Sequence, residues 1–539
     1  MKDLTIGAKI VLALLFIGII CGGLWYLEKN PSAAEALAPG LTAKTATATA
    51  AEAKANAPKR VAAENVVVAA MNTWGGQASG AYMNNGQNNS STDSRFYKEF
   101  HQLVQIEKMD DFDASRAALK SGAIDVLCFA TVGEFSIEAG ALQADGIKVI
   151  SHYDKSFGGD ALVVREGINS INDLVGKTIA LAPGSPSHGL FLNLIRVSGF
   201  NQSQFKIQEA KDGLDAADYF RKEQVDAAFV WSPDDVKLPN DVKGAKALFT
   251  TKTAPDIIWD CMLVRDAELQ TPEKRAAIKN FVAGWLYGSS LINTNSAARA
   301  EAVQDMVQIF GLPTEDWSNL SIAKFMTLGD NLNFFGLNPS YKGVTGEELY
   351  SRMGDEYKKL NLNSGEPVIS GNIPPWREVS DPSIIQELEH NPKLETAKQN
   401  AEVPREFVTP TKEIANAPAV TTNNITVEYP TGSAELTFEA KRTIKHEFGS
   451  LARGFSNAYI RIEGNTDNVG SYSFNKDLSF KRANNMKAYL ISEYGWSPKR
   501  FIIKGNGPDN PVPGCEDNVT DEQRARNRRT EFELVSVNQ

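Results

Sequence analysis

The residues with the clearest capacity for chemistry lie near the end of the 539-residue chain, in EGNTDNVGSYSFNKDLSFKRANNMKAYL (463–490). Asp467 sits in a Gly/Asn-rich turn after the strand-like YIRIEG, and Arg482 follows fifteen residues later among apolar positions at helical spacing. A fixed carboxylate and a planar guanidinium fork can grip a ligand that carries both charges. Equally, the two can neutralise one another as a structural ion pair. Leu478, Met486 and Leu490 recur at eight- and four-residue intervals, which predicts one apolar helical stripe with Arg482 at its edge.

A second group lies in KTIALAPGSPSHGLFLNLIRVSGF (177–200). A strand ends at Pro183–Gly184 and a helix then opens with Ser185, Ser187 and His188. A helix start behind the carboxyl end of a strand offers free N–H groups and partial positive charge, a seat for a small anion or polar headgroup. The alternative is that Ser185 or Ser187 merely caps the helix. Trp74 and Trp231 either close over an organic ligand or fill core. Several chemistries are disfavoured. Gly176–Lys177–Thr178 lacks the upstream glycine of a phosphate-binding loop, and no GxSxG elbow is present. CxxC and HExxH are absent and the five histidines are scattered, so no metal, no cofactor and no catalytic group is expected. A formal charge of −10 argues against a nucleic-acid partner.

The elements that must position these residues come in two textures. From VVVAAM (66–71) through GAIDVLCFA, IKVISHYD, ALVVRE, KTIALA and VDAAFVW, short apolar runs alternate with helical segments such as EFSIEAGALQADG. That succession predicts an α/β domain with a mostly parallel sheet, followed by helices over 271–310. Residues 361–424 read as a Pro-containing connector. The final unit, 425–539, reads as strand, helix, strand, helix, strand, polar insertion and strand: an α/β sandwich large enough to fold alone. Cys128 and Cys261 lie in strand-like stretches and either pack or form one disulfide, while Cys515 lies in the polar insertion.

At the N-terminus, Ile10–Leu27 is uncharged and ends in Trp25 and Tyr26. Eighteen helical residues span about 27 Å, enough to cross hydrocarbon, and aromatics suit the interface. The expectation is a single-pass N-terminal transmembrane helix within 1–29, followed by a flexible Ala/Thr/Lys-rich linker over 30–60. A cleaved signal peptide is the rival reading, since Lys2 and Lys9 fit its basic start and Ala33, Ala34 and Ala36 its cleavage site.

DFDASRAALKSGAIDVLCFA, INSINDLVGKTIALAPGSPSHGLFLNLIRVSGF and AADYFRKEQVDAAFVWSPD together resemble the periplasmic substrate-binding proteins of ABC importers, in the nitrate/taurine/sulfonate and thiamine-precursor branch. The resemblance covers 66 to about 330. It implies a two-lobed, type II-like periplasmic binding protein fold with a solute held by Asn72, Thr73, Trp74, Gly75, Thr131, Ser185, Ser187, His188 and Trp231, and Asp160 nearer the hinge. ITVEYPTGSAELTFEA, the opening stretch, FIIKGNGPDNPVP and ARNRRTEFEL resemble an OmpA-like peptidoglycan-binding domain over 425–537. This second resemblance implies a grip on the diaminopimelate peptide stem, with Asp467 for the ammonium and Arg482 for the carboxylate. Asn475, Leu478 and Ser479 match between them, and Asn527, Arg528 and Arg529 match the closing NRR.

Assembled, the expectation is an anchor (1–29), a linker (30–60), a solute-binding domain (61–360), a connector (361–424) and a wall-binding domain (425–539). Such a protein would face the periplasm from the inner membrane, binding peptidoglycan and a small solute for sensing or for delivery to a transporter or envelope complex. The alternative is a purely structural membrane-to-wall tether with a non-binding middle domain.

Overall fold

The computed structural model describes residues 65–536 apart from 312–319, 362–364, 366, 370, 400, 426, 428 and 430–432. The anchor and linker expected over 1–60 lie outside the described residues; among those described, no helix is long and apolar enough to cross a membrane.

The middle of the chain builds two sheets. In the first lobe, β1 (Val66–Met71), β2 (Leu103–Lys108), β3 (Val126–Thr131), β4 (Ile147–Ser156), β10 (Trp259–Arg265) and β11 (Ala323–Phe325) stand in the order β11-β4-β10-β3-β1-β2. In the second, β5 (Asp160–Val164), β6 (Thr178–Leu181), β7 (Lys206–Glu209), β8 (Ala227–Trp231) and β9 (Lys246–Thr250) run β7-β6-β8-β5-β9. Neither sheet is wholly parallel. The chain leaves β4 at its carboxyl end, crosses through 157–159 and enters β5, which runs antiparallel to β8; it returns through 251–258 into β10, antiparallel to β3 and β4. A strand entered from the crossing side must point away from it. The carboxyl ends of β1, β3 and β4 therefore share one edge with the start of β10. The ends of β6 and β8 share another with the start of β5.

Helix α1 (Val132–Ala144) opens at the first edge and α2 (Pro186–Val197) at the second. Each begins where the sequence supplies a cap: the Thr131 hydroxyl accepts from Glu134 N, and Ser185 precedes Pro186 at the first helical position. Helices α3 (Pro272–Thr294) and α4 (Ser296–Phe310) bury Phe281, Trp285, Met306 and Ile309 in the first lobe's second core. Cys128 and Cys261 are buried free thiols, not a disulfide, and Cys261 Sγ donates to the Ala130 carbonyl at 3.1 Å. A later helix, α5 (Gly346–Tyr357), buries Leu349, Tyr350, Met353 and Tyr357 along one face.

The C-terminal sheet has the order β12-β15-β13-β14, from β12 (Thr421–Ile425), β13 (Tyr459–Asn465), β14 (Phe501–Gly507) and β15 (Thr530–Val535). It takes in Thr421–Asn424, residues read from sequence as connector. Helix α6 (Tyr472–Tyr494) lies on β13 and β14, but its buried face is Asn475, Ser479, Ala483, Met486, Leu490 and Tyr494. The stripe predicted through Leu478 is thus corrected by one position: Leu478 is half-buried at its side. The cause is close approach. A Cβ on Gly464 would lie 2.3 Å from the Ser479 carbonyl oxygen, and one on Gly505 2.7 Å from Phe480 N. The helix backbone rests directly on the strands there, which only small residues permit.

Candidate functional site

The first candidate is built where β13 turns into α6. Ser471 caps the helix, Gly470 takes φ +102°, and Asn475 Nδ2 donates to the carbonyls of Asp467 (3.4 Å) and Val469 (3.0 Å), pinning the turn. Buried Asp467 accepts Val469 N on Oδ1 at 3.0 Å and Arg528 Nη1 on Oδ2 at 2.6 Å. The ion partner of Asp467 is therefore Arg528, which is half-exposed, and not Arg482. Strand β15 explains this: it pairs antiparallel with β13, placing Thr530 opposite Gly464 and bringing the preceding arginines beside the turn.

Arg482 donates from Nε to the Ser433 carbonyl (3.1 Å) and lies over the Tyr429 ring, 4.4 Å from its centre. Its two terminal nitrogens make no hydrogen bond among the described residues. Burial lowers its affinity for its proton; Tyr429 and Asp467 oppose that and Arg528 adds to it, so Asp467, Arg482 and Arg528 share one local field. One carboxylate and two guanidiniums leave the site with an excess of one positive charge, suited to a ligand bearing carboxylate. Arg529 does not join them. It is buried, donates to Glu531 Oε1 from Nε at 2.9 Å and to the Asn510 carbonyl at 3.0 Å, and so holds the loop. Asn527 does the same through Val512 N, the Cys515 carbonyl and Asn518, which accounts for buried Cys515.

The second candidate is the gap between the lobes. All nine residues expected from sequence lie on its two edges, yet most of their polar atoms are already used within the protein. Asn72 Oδ1 accepts Gln77 Nε2 at 2.8 Å, Thr73 gives both its N–H and hydroxyl to Asp110, and Gly75 is buried near Ile322. Trp74 Nε1 donates to Asp154 Oδ2 at 2.8 Å while its ring covers Gly159 in the crossing segment. Thr131 and Ser185 cap their helices. Ser187 accepts Trp231 Nε1 at 3.0 Å, and Trp231 packs over Gly213 within its own lobe. Buried His188 accepts Gly184 N on Nδ1 and meets Gln202 Oε1 at 2.8 Å from Nε2, so the network assigns a neutral ring with its proton on Nε2; burial lowers its basicity.

Sequence reasoning named Asp160 near the hinge but missed Asp154, Asp260 and Glu134 on these edges. Asp154 and Asp260 are cross-strand partners on β4 and β10, and Asp260 is also opposite Thr131. Burial pushes Asp154, Asp160 and Glu134 each up to about 7, and burial with the Asp154 carboxyl beside it raises Asp260 well above the usual carboxylate range. Like-charged neighbours in a low dielectric cannot both ionise cheaply. An Asp in the otherwise apolar IIWDCML was the available signal. Asp160 begins β5 immediately after the crossing and accepts Ser156 Oγ at 2.6 Å, a hinge position.

Comparison with known proteins gives the class of each part. Residues 429–528 match the OmpA family and residues 102–291 the NMT1/THI5 like family. The chain thus carries an OmpA domain at its C-terminus and an NMT1/THI5-like substrate-binding domain in its middle, both families of binding or structural proteins. Among individual proteins, it is 40% identical over 94 residues to outer membrane protein A of Bordetella avium, covering 17% of this chain and 46% of that one. It is 29% identical over 154 residues to the taurine-binding periplasmic protein of Escherichia coli, covering 29% and 47%. The chain thus spans less than half the length of either relative. The solved periplasmic aliphatic sulphonate binding protein SsuA of Escherichia coli aligns over 65% of this chain and 98% of its own, with 16% identity and a TM-score of 0.45.

Proposed function

We propose that this is a non-catalytic envelope protein that holds peptidoglycan through its OmpA domain and a small solute between its middle lobes. Asp467 and Arg482 carry the first half of this reading, with Arg528 beside them. The free tip of a diaminopimelate stem has an ammonium and a carboxylate on one carbon. Asp467 takes the ammonium, and Arg482 and Arg528 take the carboxylate. The N-terminal span would anchor the chain in the inner membrane, with sensing or delivery to a transporter or envelope complex as its role. Co-sedimentation with purified peptidoglycan tests the site: D467A and R482A should each stay in the supernatant while wild type pellets. Pelleting by both variants would overturn the assignment.

A specific observation favours the structural-tether alternative. Met353 and Tyr357 of α5 are buried against the helix starts at both lobe edges. Calorimetry with taurine, an alkanesulfonate and nitrate separates the readings; heat of binding abolished by W74A supports a solute site, and silence with all three supports the tether.

A further inference from the structure

Helix α5 lies between the lobes and the wall-binding domain, and its two sides hold different partners. On one side Met353 fills the space above Gly133 at the start of α1: a Cβ there would lie 3.5 Å from Met353 Cγ. The same side chain reaches the second lobe, where a Cβ on Gly189 would lie 3.2 Å from Met353 Cε, and Asn193 Nδ2 donates to Met353 Sδ at 3.0 Å. One turn later Tyr357 donates its hydroxyl to the Ser185 carbonyl at 3.3 Å and meets the His188 ring edge-on at 5.5 Å. Glu356 pairs with Arg196 of α2 at 3.4 Å, and Tyr350 packs on Phe135 of α1. A single helix thus touches the first turns of both edge helices.

The other side is held by the wall-binding domain. Glu348 pairs with Arg453 at 2.5 Å, and Arg352 donates to the carbonyls of Ser450 (3.3 Å) and Asp256 (3.4 Å). Asp256 belongs to the second crossing segment, and the wall-binding domain grips it directly. Its N–H donates to the Gly454 carbonyl at 3.2 Å, and its Oδ2 accepts Ser456 Oγ at 2.5 Å. Nearby, Asn457 Nδ2 donates to the Lys252 carbonyl at 2.7 Å and Phe249 meets Phe455. The second lobe is tied as well, by Ile171 N to the Val420 carbonyl and by Asn172 with Thr422 in both directions. One apolar core runs without a break from Phe135 through Met353 and Tyr357 to Phe191, and on to Phe455 and Phe448.

We infer that α5 is a strap through which docking of the wall-binding domain fixes the angle between the lobes, so that opening the gap and releasing the wall-binding domain are one transition. Hinge opening between two lobes requires the crossing segments to change shape and the contacts bridging the gap to part. Here a second domain holds one crossing segment and the bridging helix together. Coupling of this kind must be reciprocal. The proposal uses the two-ligand reading above only to name what each end binds, and its test uses neither ligand.

The test is hydrogen exchange by mass spectrometry on the full chain. Variants E348A and R352M cut contacts to the wall-binding domain and crossing segment without touching Met353 or Tyr357; M353A cuts the contact to the lobes. The wall-side variants should each raise exchange about tenfold in 131–136 and 185–193, as loss of a charged hydrogen bond allows. M353A should raise it comparably in 450–457. Exchange in β13 should stay at the wild-type rate, marking an intact wall-binding domain. Changes confined to each variant's own side would overturn the coupling, as would wild-type rates in both lobe segments for E348A and R352M, whatever M353A does to folding.

Discussion

Asp160 gives the sharpest quantitative test of the hinge. Its carboxyl is fully enclosed at the start of β5 and is raised from 3.8 to about 7, chiefly by burial, against the Ser156 hydroxyl, which favours the ionised form. The folded chain therefore holds a proton that the unfolded chain has released over this range. The stability due to this group is fully present below the unfolded value and is lost as pH rises towards 7. The slope is about 1.4 kcal/mol per pH unit and halves as the folded value is reached, so roughly 2 kcal/mol should disappear between pH 5 and pH 7. Asn is neutral at every pH and keeps an oxygen to accept from Ser156. Urea unfolding of wild type and D160N, followed by tryptophan fluorescence at pH 5, 6, 7 and 8, reads Asp160 together with the smaller upward push its charge gives Asp154 and Asp260, while Glu134 titrates alike in both proteins. D160N should gain on wild type steadily from pH 5 to 7, then level off. A difference independent of pH, or one that shrinks as pH rises, would show that Asp160 is ionised in the fold and refute the reasoning.

Other expectations follow from the same contacts. Arg500 is buried with Nε on the Ala458 carbonyl and Nη2 on those of Ala452 and Phe455, and burial pushes it down to about 9. R500M should destabilise the OmpA domain by about 3 kcal/mol, because three carbonyls lose their donor; calorimetric melting would measure it. R528A should weaken peptidoglycan pelleting at least tenfold and R529A far less directly, since Arg529 serves its loop; equal losses with intact melting would contradict that division. G505A should lower the melting temperature of the same domain by several degrees through the forced clash with Phe480, corresponding to about 1–3 kcal/mol.

Much of the fold was legible because local signals and tertiary outcome agreed. Ser185 before Pro186 marks a helix start wherever that segment lies, and Thr131 before VGEF does the same. Asp467 in its Gly/Asn turn had to lie at the head of α6, since Ser471 and the following residues begin a helix. Leu478 was misjudged because helical spacing alone ignores how close the partner is: glycines at 464 and 505 bring the sheet so near that Ser479 and Ala483, not Leu478, face it.

Sequence by itself determined the order of elements, the caps and the charged residues available at each edge, because these depend on neighbours within one or two helical turns. Only the tertiary structure decided which charges meet. Arg528 reaches Asp467 because β15 pairs with β13, a contact across 61 residues. Asp154 faces Asp260 through the register of two strands more than a hundred residues apart. Helix α5 reads locally as an ordinary amphipathic helix; its position between two lobes and a third domain comes from packing, which no window of sequence contains.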